Sequence, residues 1–155
     1  HVNWIVQIPF GWQRNFDSTE IEVQTASRSD RSWGESDVGL VETARLAQKF
    51  GIRTLLKPHL WLRNRRDGKW RGEIRMQTEA DWQAWFANYR TFILHYARLA
   101  EKNGMDGLCV GMELHRTAVE READWRKLIE AVRAVYRGKL VYAANWGEEF
   151  ESIPF

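Results

Sequence analysis

Glu113 stands out among the ionisable residues because it follows an otherwise apolar run at residues 107–114. A carboxylate in such surroundings costs free energy unless it is solvated or paired, so its presence requires an explanation. One explanation is a general acid whose proton affinity is adjusted by apolar walls. The other is a surface carboxylate or a partner for Lys57, whose positive charge would favour the ionised form. Glu113 is therefore the first candidate for a catalytic carboxylic acid.

Polar and aromatic side chains gather at the ends of three further apolar runs, at residues 2–10, 52–60 and 139–146. Tryptophan offers a flat apolar face, and sugar rings have apolar C–H faces that stack on such planes. Amide and charged groups beside the aromatic rings suit sugar hydroxyls, so this mixture fits an uncharged oligosaccharide better than a phosphate or an acyl chain. The candidate substrate-binding residues are Trp12, Lys57, His59, Trp61, His115, Asn145 and Trp146.

Two other kinds of site are weaker interpretations of the sequence. His59, Glu113 and His115 have the side-chain types of a metal site, but the spacing Glu-x-His on a strand is common and not diagnostic. A nucleotide site is disfavoured because no G-x-G-x-x-G follows the first run and no G-x-x-x-x-G-K-S/T occurs. We therefore predict that the site uses neither a metal ion nor another cofactor.

The apolar runs alternate with helical patterns, which gives the element order β-α-β-α-β-α-β. Residues 37–50 form the first predicted helix, with Ser36 as its N-cap and Gly51 just after its C-terminus. A second helix is predicted over residues 78–104 and a third over residues 120–138, because each has an apolar face with a period of 3.6 residues. Helices between all four runs indicate parallel strands with right-handed crossovers.

The four runs are nearly continuous in apolar residues, as expected for parallel strands that are buried on both faces. A parallel sheet places the carboxyl ends of its strands at one edge, so the four polar ends would meet there. Barrel enzymes take catalytic groups from several strand ends, whereas an open sheet binds ligands mainly at one switch point. The sequence therefore predicts an α/β fold that is part of a (β/α)8 barrel. Weak alternation at residues 20–24 indicates a short strand in the first loop.

The composition indicates one globular domain over residues 1–155, with 44% hydrophobic and 28% charged residues. A formal net charge of +2 gives no reason to expect nucleic acid or an anionic membrane as a partner. No run reaches membrane-spanning length and no signal peptide is recognised. The single cysteine, Cys109, is predicted to be a buried and unreactive thiol. The sequence leaves the compartment and the oligomeric state open.

The chain has nine tryptophans, and they divide into two groups. Trp82, Trp85 and Trp125 fall on helix stripes and are predicted to be core residues, whereas the strand-end tryptophans are not explained by core packing. The chain starts inside a predicted strand without a methionine and stops without a closing element. We therefore expect it to be a portion of a longer barrel.

Five motifs along the chain resemble glycoside hydrolase family 113, bacterial β-mannanase-like enzymes of a clan of retaining glycosidases with (β/α)8 barrels. The matching segments are Lys-Pro-His-Leu-Trp at 57–61, the helix at 82–100, Gly-Met-Glu-Leu at 111–114, residues 125–133, and Tyr-Ala-Ala-Asn-Trp at 142–146. The motifs occur in the family's order, and the resemblance runs over residues 4–155. Their order is more specific than any single motif.

The resemblance implies that Glu113 is the general acid/base at the end of the fourth barrel strand. The family has Gly-Thr-Glu-Leu at this place, and Met112 replaces the threonine here. The predicted strands would be the second to fifth of eight. The family's nucleophile lies at the end of the seventh strand, which would come after residue 155, and neither Glu148 nor Glu149 matches it.

The implied function is retaining hydrolysis of β-linked mannan-type polysaccharide or oligosaccharide, with His59, Asn145 and Trp146 lining the cleft. We expect the 155 residues alone to be inactive and prone to aggregate, because part of a barrel leaves sheet edges and an inner apolar face uncovered. Two alternatives remain open. One is a non-catalytic carbohydrate-binding barrel, and the other is a metal-dependent hydrolase that uses His59, Glu113 and His115.

Overall fold

The computed structural model describes residues 1–23, 30–64 and 68–153, and these form two sheets with helices packed against them. The strands are β1 (Trp4–Gln7), β2 (Phe10–Gln13), β3 (Ile21–Val23), β4 (Arg53–Leu56), β5 (His59–Leu62), β6 (Gly107–Met112) and β7 (Lys139–Ala143). The α-helices are α1 (Asp37–Lys49), α2 (Glu79–Lys102), α3 (His115–Glu120), α4 (Glu122–Arg133) and α5 (Glu148–Ser152), with 3₁₀ turns at Asp30–Glu35 and Arg71–Glu73. The larger sheet is parallel, with the order β1-β4-β6-β7, which confirms the predicted α/β fold.

The first two long helices begin and end where the sequence signals indicate. The Ser36 hydroxyl accepts a hydrogen bond from the Gly39 amide at 3.2 Å, and the Thr78 hydroxyl accepts one from the Asp81 amide at 3.1 Å. Gly51 follows α1 with φ at 67°, a left-handed conformation that glycine adopts without strain. None of the helices in the described ranges combines the length and apolar composition needed to cross a membrane.

A proline divides each of the first two predicted strands into two. Pro9 separates β1 from β2, and Pro58 separates β4 from β5. The Lys57 amide donates to the Gln7 carbonyl at 2.8 Å, and the His59 amide donates to the Pro9 carbonyl at 2.9 Å. Between these two bonds Pro9 has no N–H to donate to the Lys57 carbonyl, so one rung of the ladder is missing. β2 and β5 continue the parallel pairing as a second sheet, beyond the predicted ends of both strands.

β3 joins the second sheet as the antiparallel neighbour of β2. It confirms the short strand that is predicted from the alternation at residues 20–24, although Gln24 itself lies outside the described residues. The second sheet has the strand order β3-β2-β5. Because β2 and β5 follow β1 and β4 in the same direction, this sheet extends the protein beyond the carboxyl edge of the larger one.

The third predicted helix, over residues 120–138, corresponds to α4, and the sequence did not predict α3, which ends one residue before α4 begins. Before α3, Glu113 adopts φ at 51° and turns the chain from β6 directly into a helix. His115 therefore begins α3, and the interpretation of Glu113 and His115 as two residues of one strand is wrong. β7 also ends early, at Ala143, so that Asn145 and Trp146 belong to the loop that follows it.

The apolar helix stripes form an aromatic core with the sheets. Trp85 and Trp125 are fully buried and Trp82 is nearly so, which confirms the predicted core tryptophans. Trp85 stacks on Tyr89 with their ring centroids 4.8 Å apart, and its indole N–H donates to the Gln13 amide oxygen at 2.9 Å. Gln13 is itself buried at the end of β2, so this bond ties the second sheet to the helix core.

The side of the larger sheet that faces away from the helices bears apolar residues in contact with solvent. Leu108 faces the helix core, and successive residues of a strand point to opposite sides of the sheet, so every second residue faces away from the helices. Among them, Val6 and Val141 are 49% and 42% exposed. Cys109, the partner of Val141 in the ladder, is buried as predicted, and burial raises the pKa of its thiol. This side corresponds to the interior of a complete barrel, where side chains of the other strands would cover it.

We expect the 155-residue polypeptide, expressed alone, to associate through this uncovered face. Val141→Lys places a charge on the face and should reduce the association, measured by static light scattering at increasing protein concentration. Val38→Lys is the matched control, because Val38 is 68% exposed on α1, away from the inner face. A monomeric parent chain, or equal scattering by the two variants, would contradict this expectation.

Candidate active site

Glu113 lies at the carboxyl edge of the larger sheet, immediately after β6. Its amide donates to the Ala143 carbonyl at 2.8 Å, so the pairing of β6 with β7 holds the residue at this edge. Its φ of 51° is uncommon for a residue with a side chain, and conformations of this kind cluster at functional sites. The side chain is 25% exposed, so the carboxyl group is accessible from solvent.

An irregularity in β6 sets the point at which the chain reaches Glu113. Cys109 pairs with β7 in one register and Gly111 pairs in the next, which leaves Val110 as an extra residue in a bulge. A Cβ atom on Gly111 would lie 2.5 Å from the Trp125 ring, so a side chain does not fit there. The bulge and the glycine together determine where Glu113 leaves the strand.

Arg71 forms an ion pair with Glu113, through its Nη2 atom and the Oε2 atom of the carboxyl group. It comes from the 3₁₀ turn after β5, and only 10% of its side chain is exposed. Its guanidinium packs over the rings of Trp61 and Trp70, with the Cζ atom 4.9 and 5.5 Å from the two ring centroids. The cation beside Glu113 is therefore Arg71 and not Lys57, which the sequence suggested as its partner. Sequence reasoning missed Arg71, because nothing distinguishes it from the other basic residues of the same charged loop.

Four ring side chains of the second sheet form one surface, which we name the aromatic wall: Phe10, Trp12, His59 and Trp61. Phe10 pairs with His59 and Trp12 pairs with Trp61 across the two parallel strands, so all four rings lie on the same side. His59 stacks on Trp61 with the ring centroids 4.8 Å apart and an interplanar angle of 23°. The wall meets Glu113 through Arg71, which contacts both Trp61 and the carboxyl group.

His59 is the most buried member of the aromatic wall, with 5% exposure. Burial lowers the pKa of its imidazole to about 4, and the positive charges of Arg71 and Lys57 act in the same direction. The ring is therefore neutral at pH 7, with one nitrogen as a donor and the other as an acceptor. Its Nε2 atom has no hydrogen-bond partner within the described part of the chain. A buried polar atom without a partner is uncommon, which makes His59 a candidate for a functional role.

The loop after β7 brings Asn145 and Trp146 to the same edge of the sheet. The Asn145 amide donates to Glu149 Oε2 at 3.0 Å, and the Asn145 side-chain oxygen accepts from the Trp146 amide at 3.0 Å. Trp146 is 92% exposed, so its ring contacts solvent and does not contribute to the core. Glu149 is 3% exposed, and its hydrogen bond with the Asn145 amide holds the loop in place. This role of Glu149 was not predicted from the sequence, because charged residues are rarely buried.

The remaining predicted site residues lie around this region without forming a metal centre. His115 is half-buried at the start of α3, and its Nδ1 atom has no partner in the described ranges. Lys57 is half-buried, and its charge acts on both His59 and Cys109. Within the residues that the structure describes, no three His, Cys, Asp or Glu side chains lie close enough together to hold a metal ion. The hypothesis of a metal site made of His59, Glu113 and His115 therefore finds no support in the geometry.

Comparisons with known proteins show similarity to one glycoside hydrolase family and to solved structures of β-mannanases. The model of Glycoside Hydrolase Family 113 matches residues 1–154. The GH113 β-mannanase AaManA from Alicyclobacillus acidocaldarius, solved in complex with ManMIm, is 34% identical with a TM-score of 0.82, and the match covers 97% of this chain and 46% of AaManA. A GH113 β-1,4-mannanase solved as a complex is 30% identical with a TM-score of 0.80, and the match covers 96% of this chain and 47% of that protein. A comparison with curated proteins gave no match.

The chain spans about half the length of the mannanases that it matches. This share agrees with a larger sheet of four parallel strands, since a complete barrel of this class has eight. The fold similarity and the family match cover nearly every residue of the chain, including the Glu113 segment and the aromatic wall. The chain belongs to glycoside hydrolase family 113.

Proposed function

We propose that this chain provides the acid/base part of a retaining β-mannanase barrel, as a single domain in which Glu113 is the general acid/base. The observation that carries the proposal is the place of Glu113 at the carboxyl edge of a parallel sheet, in a left-handed backbone conformation beside the aromatic wall. Catalytic groups of barrel enzymes lie at this edge. The names of the similar mannanases support a β-linked mannan-type polysaccharide or oligosaccharide as substrate.

Retaining hydrolysis needs two carboxyl groups about 5–5.5 Å apart. In the first step Glu113 must enter in its protonated form: it gives its proton to the leaving glycosidic oxygen, while the nucleophile attacks the anomeric carbon and forms a covalent glycosyl-enzyme intermediate. The ion pair with Arg71 corresponds to the carboxylate that is left after this step. In the second step the Glu113 carboxylate takes a proton from the water that releases the sugar. Glu149 does not suit the role of nucleophile, because both its oxygens already accept hydrogen bonds, from the Tyr142 hydroxyl and the Asn145 amide. The resemblance to the family implies a nucleophile at the end of the seventh barrel strand, which the 155 residues do not include.

Arg71 has a defined part in this cycle. Its ion pair uses the Oε2 atom of Glu113, so the carboxyl group keeps its other oxygen for the glycosidic oxygen. The guanidinium stabilises the carboxylate that remains after proton donation. Trp61 and Trp70 hold the guanidinium in place by packing against it, so the charge does not need to move during the reaction.

The saccharide is bound by the aromatic wall and by the loop after β7. Ring faces stack on the C–H faces of sugars, while the neutral imidazole of His59 and the amide of Asn145 bind hydroxyls. The proposed substrate-binding residues are Trp12, Lys57, His59, Trp61, His115, Asn145 and Trp146. A non-catalytic carbohydrate-binding barrel would use the same surface, so the chemistry of Glu113 must decide between the two functions.

In a complete barrel that contains this chain, we expect Glu113→Gln to reduce turnover of mannan oligosaccharides by about 10²–10⁴-fold, because a leaving sugar alkoxide requires a proton. Initial rates of oligosaccharide cleavage measure this effect. Glu120→Gln is the matched control, since Glu120 is an exposed carboxylate on α3 that pairs with Arg75. Near-normal turnover by Glu113→Gln would refute the assignment. Saccharide binding without any turnover by the parent barrel would favour the non-catalytic function.

We expect Trp146→Ala to weaken binding of a mannan oligosaccharide about tenfold, which is about 1.4 kcal/mol, without changing thermal stability. Because the side chain is 92% exposed, its loss removes a stacking surface and leaves the core intact. Isothermal titration calorimetry and a thermal melt measure the two quantities. Phe50→Ala is the matched control, because Phe50 is a 77% exposed aromatic residue at the C-cap of α1. Equal affinities for the two variants would remove Trp146 from the substrate site.

The lowered pKa of His59 gives an expected pH dependence of stability. An unfolded chain takes up this proton near pH 6.5, whereas the folded protein takes it up only near pH 4. The unfolded state binds more protons between these values, so the free energy of unfolding falls as the pH is lowered from 6.5 to 4. Urea midpoints across this range should change less in His59→Gln than in the parent, with the exposed His1→Gln as control. The same pH dependence in all three proteins would contradict a neutral, buried His59.

A further inference from the structure

A buried hydrogen-bond chain runs behind Glu113, on the helix side of the larger sheet. The Leu114 amide donates to the Tyr142 hydroxyl at 2.9 Å, and this hydroxyl donates to Glu149 Oε1 at 2.9 Å. Leu114 is 1% exposed and Glu149 is 3% exposed, so these hydrogen bonds lie in the protein interior. They link α5 to the residue that directly follows Glu113.

This hydrogen-bond chain acts on the non-glycine residue that has a positive φ in the described part of the backbone. Glu113 has φ at 51°, and residues of β7 accept hydrogen bonds from both its own amide and the amide of Leu114. Its own amide donates to the Ala143 carbonyl, and the next amide donates to the Tyr142 hydroxyl. A strained conformation persists only where the surrounding structure fixes it, and these two bonds fix it here.

Glu149 determines the direction in which the Tyr142 hydroxyl points. Burial raises the pKa of the Tyr142 phenol, and the nearby charge of Glu149 raises it further, so the hydroxyl keeps its proton. That proton is donated to Glu149, and a lone pair of the oxygen is then directed to the Leu114 amide. The second oxygen of Glu149 accepts from the Asn145 amide at 3.0 Å, so the same carboxyl group holds the loop that carries Trp146.

The Tyr142 ring has a packing role that is separate from its hydroxyl. It lies edge-on to Trp125 with the ring centroids 5.4 Å apart, and it occupies the space beside Gly111. Tyr142→Phe keeps these ring contacts and removes only the hydroxyl. Glu149→Gln replaces one acceptor oxygen by an NH2 donor, so the side chain can no longer accept both hydrogen bonds.

We propose that Tyr142 and Glu149 are positioning residues for the acid/base, which set the direction of the Glu113 side chain through the Leu114 amide. The inference rests on the proposed function, since it assigns a task to residues behind the same carboxyl group. Both act from behind the carboxyl group, since the Tyr142 hydroxyl and the buried Glu149 are engaged in the hydrogen bonds described above. Their contribution is to keep the Glu113 carboxyl group within reach of the glycosidic oxygen, where small displacements have large effects on rate.

The test uses two substrates in a complete barrel that contains this chain. A mannan oligosaccharide has a leaving group that needs a proton, whereas a dinitrophenyl mannoside has a leaving group that departs without one. We expect Tyr142→Phe to lower kcat/KM on the oligosaccharide about tenfold to a hundredfold and to leave kcat/KM on the dinitrophenyl substrate unchanged. Glu149→Gln also releases the loop that carries Trp146, so for this variant we expect the same fall in the ratio of kcat/KM on the oligosaccharide to kcat/KM on the dinitrophenyl substrate. The double variant should be no slower than the slower single variant, because both act through one hydroxyl. Glu148→Gln, an exposed neighbour on α5, is the matched control.

The outcomes separate this inference from the proposed function. Equal losses on the two substrates would show a general structural defect and would overturn the inference, as would wild-type rates in both variants. If Glu113→Gln loses oligosaccharide turnover while Tyr142→Phe and Glu149→Gln keep the parent's ratio between substrates, the inference fails and the proposed function stands. If Glu113→Gln itself is active, the proposed function fails. Thermal melts of every variant establish that the compared proteins are folded.

Discussion

The pairing of β6 with β7 is the constraint on which the candidate site depends. The bulge at Val110 shifts the register, Gly111 passes under the Trp125 ring, and the strand then ends at a carbonyl of β7 that holds the Glu113 amide. Each of these features depends on the one before it. The carboxyl group therefore stands at the edge of the sheet because the backbone beneath it has little freedom, and not because the loop that follows happens to fold there.

Arg71 connects this rigid strand end to the second sheet. The guanidinium packs over Trp61 while it binds the carboxyl group of Glu113, so a single side chain joins the candidate acid/base to the aromatic wall. In the proposed function this arrangement places stacking surfaces and proton transfer on adjacent elements. The mannanase structures that the chain matches are about twice its length.

The sequence predicted those features that arise from local signals or from the direction of parallel strands. The helices were predicted from their apolar stripes and from the residues at their N-termini, Ser36 and Thr78. The polar strand ends predicted that Glu113 lies at a shared edge of the sheet. It did not predict Arg71 beside Glu113, because that contact joins residues 42 positions apart and depends on the path of a loop. It also did not predict the break after Glu113, since a positive φ at a glutamate is set by tertiary hydrogen bonds and has no local sequence signature.

Pro9 marks a boundary within one continuous stretch of chain. The rung that it removes lies between β1 in the larger sheet and the segment of β2 that carries Phe10 and Trp12. Residues before the proline pair with β4 in the scaffold, whereas Phe10 and Trp12 after it belong to the aromatic wall. A change after the proline can therefore reshape the wall while the hydrogen bonds that join β1 to β4 stay in place.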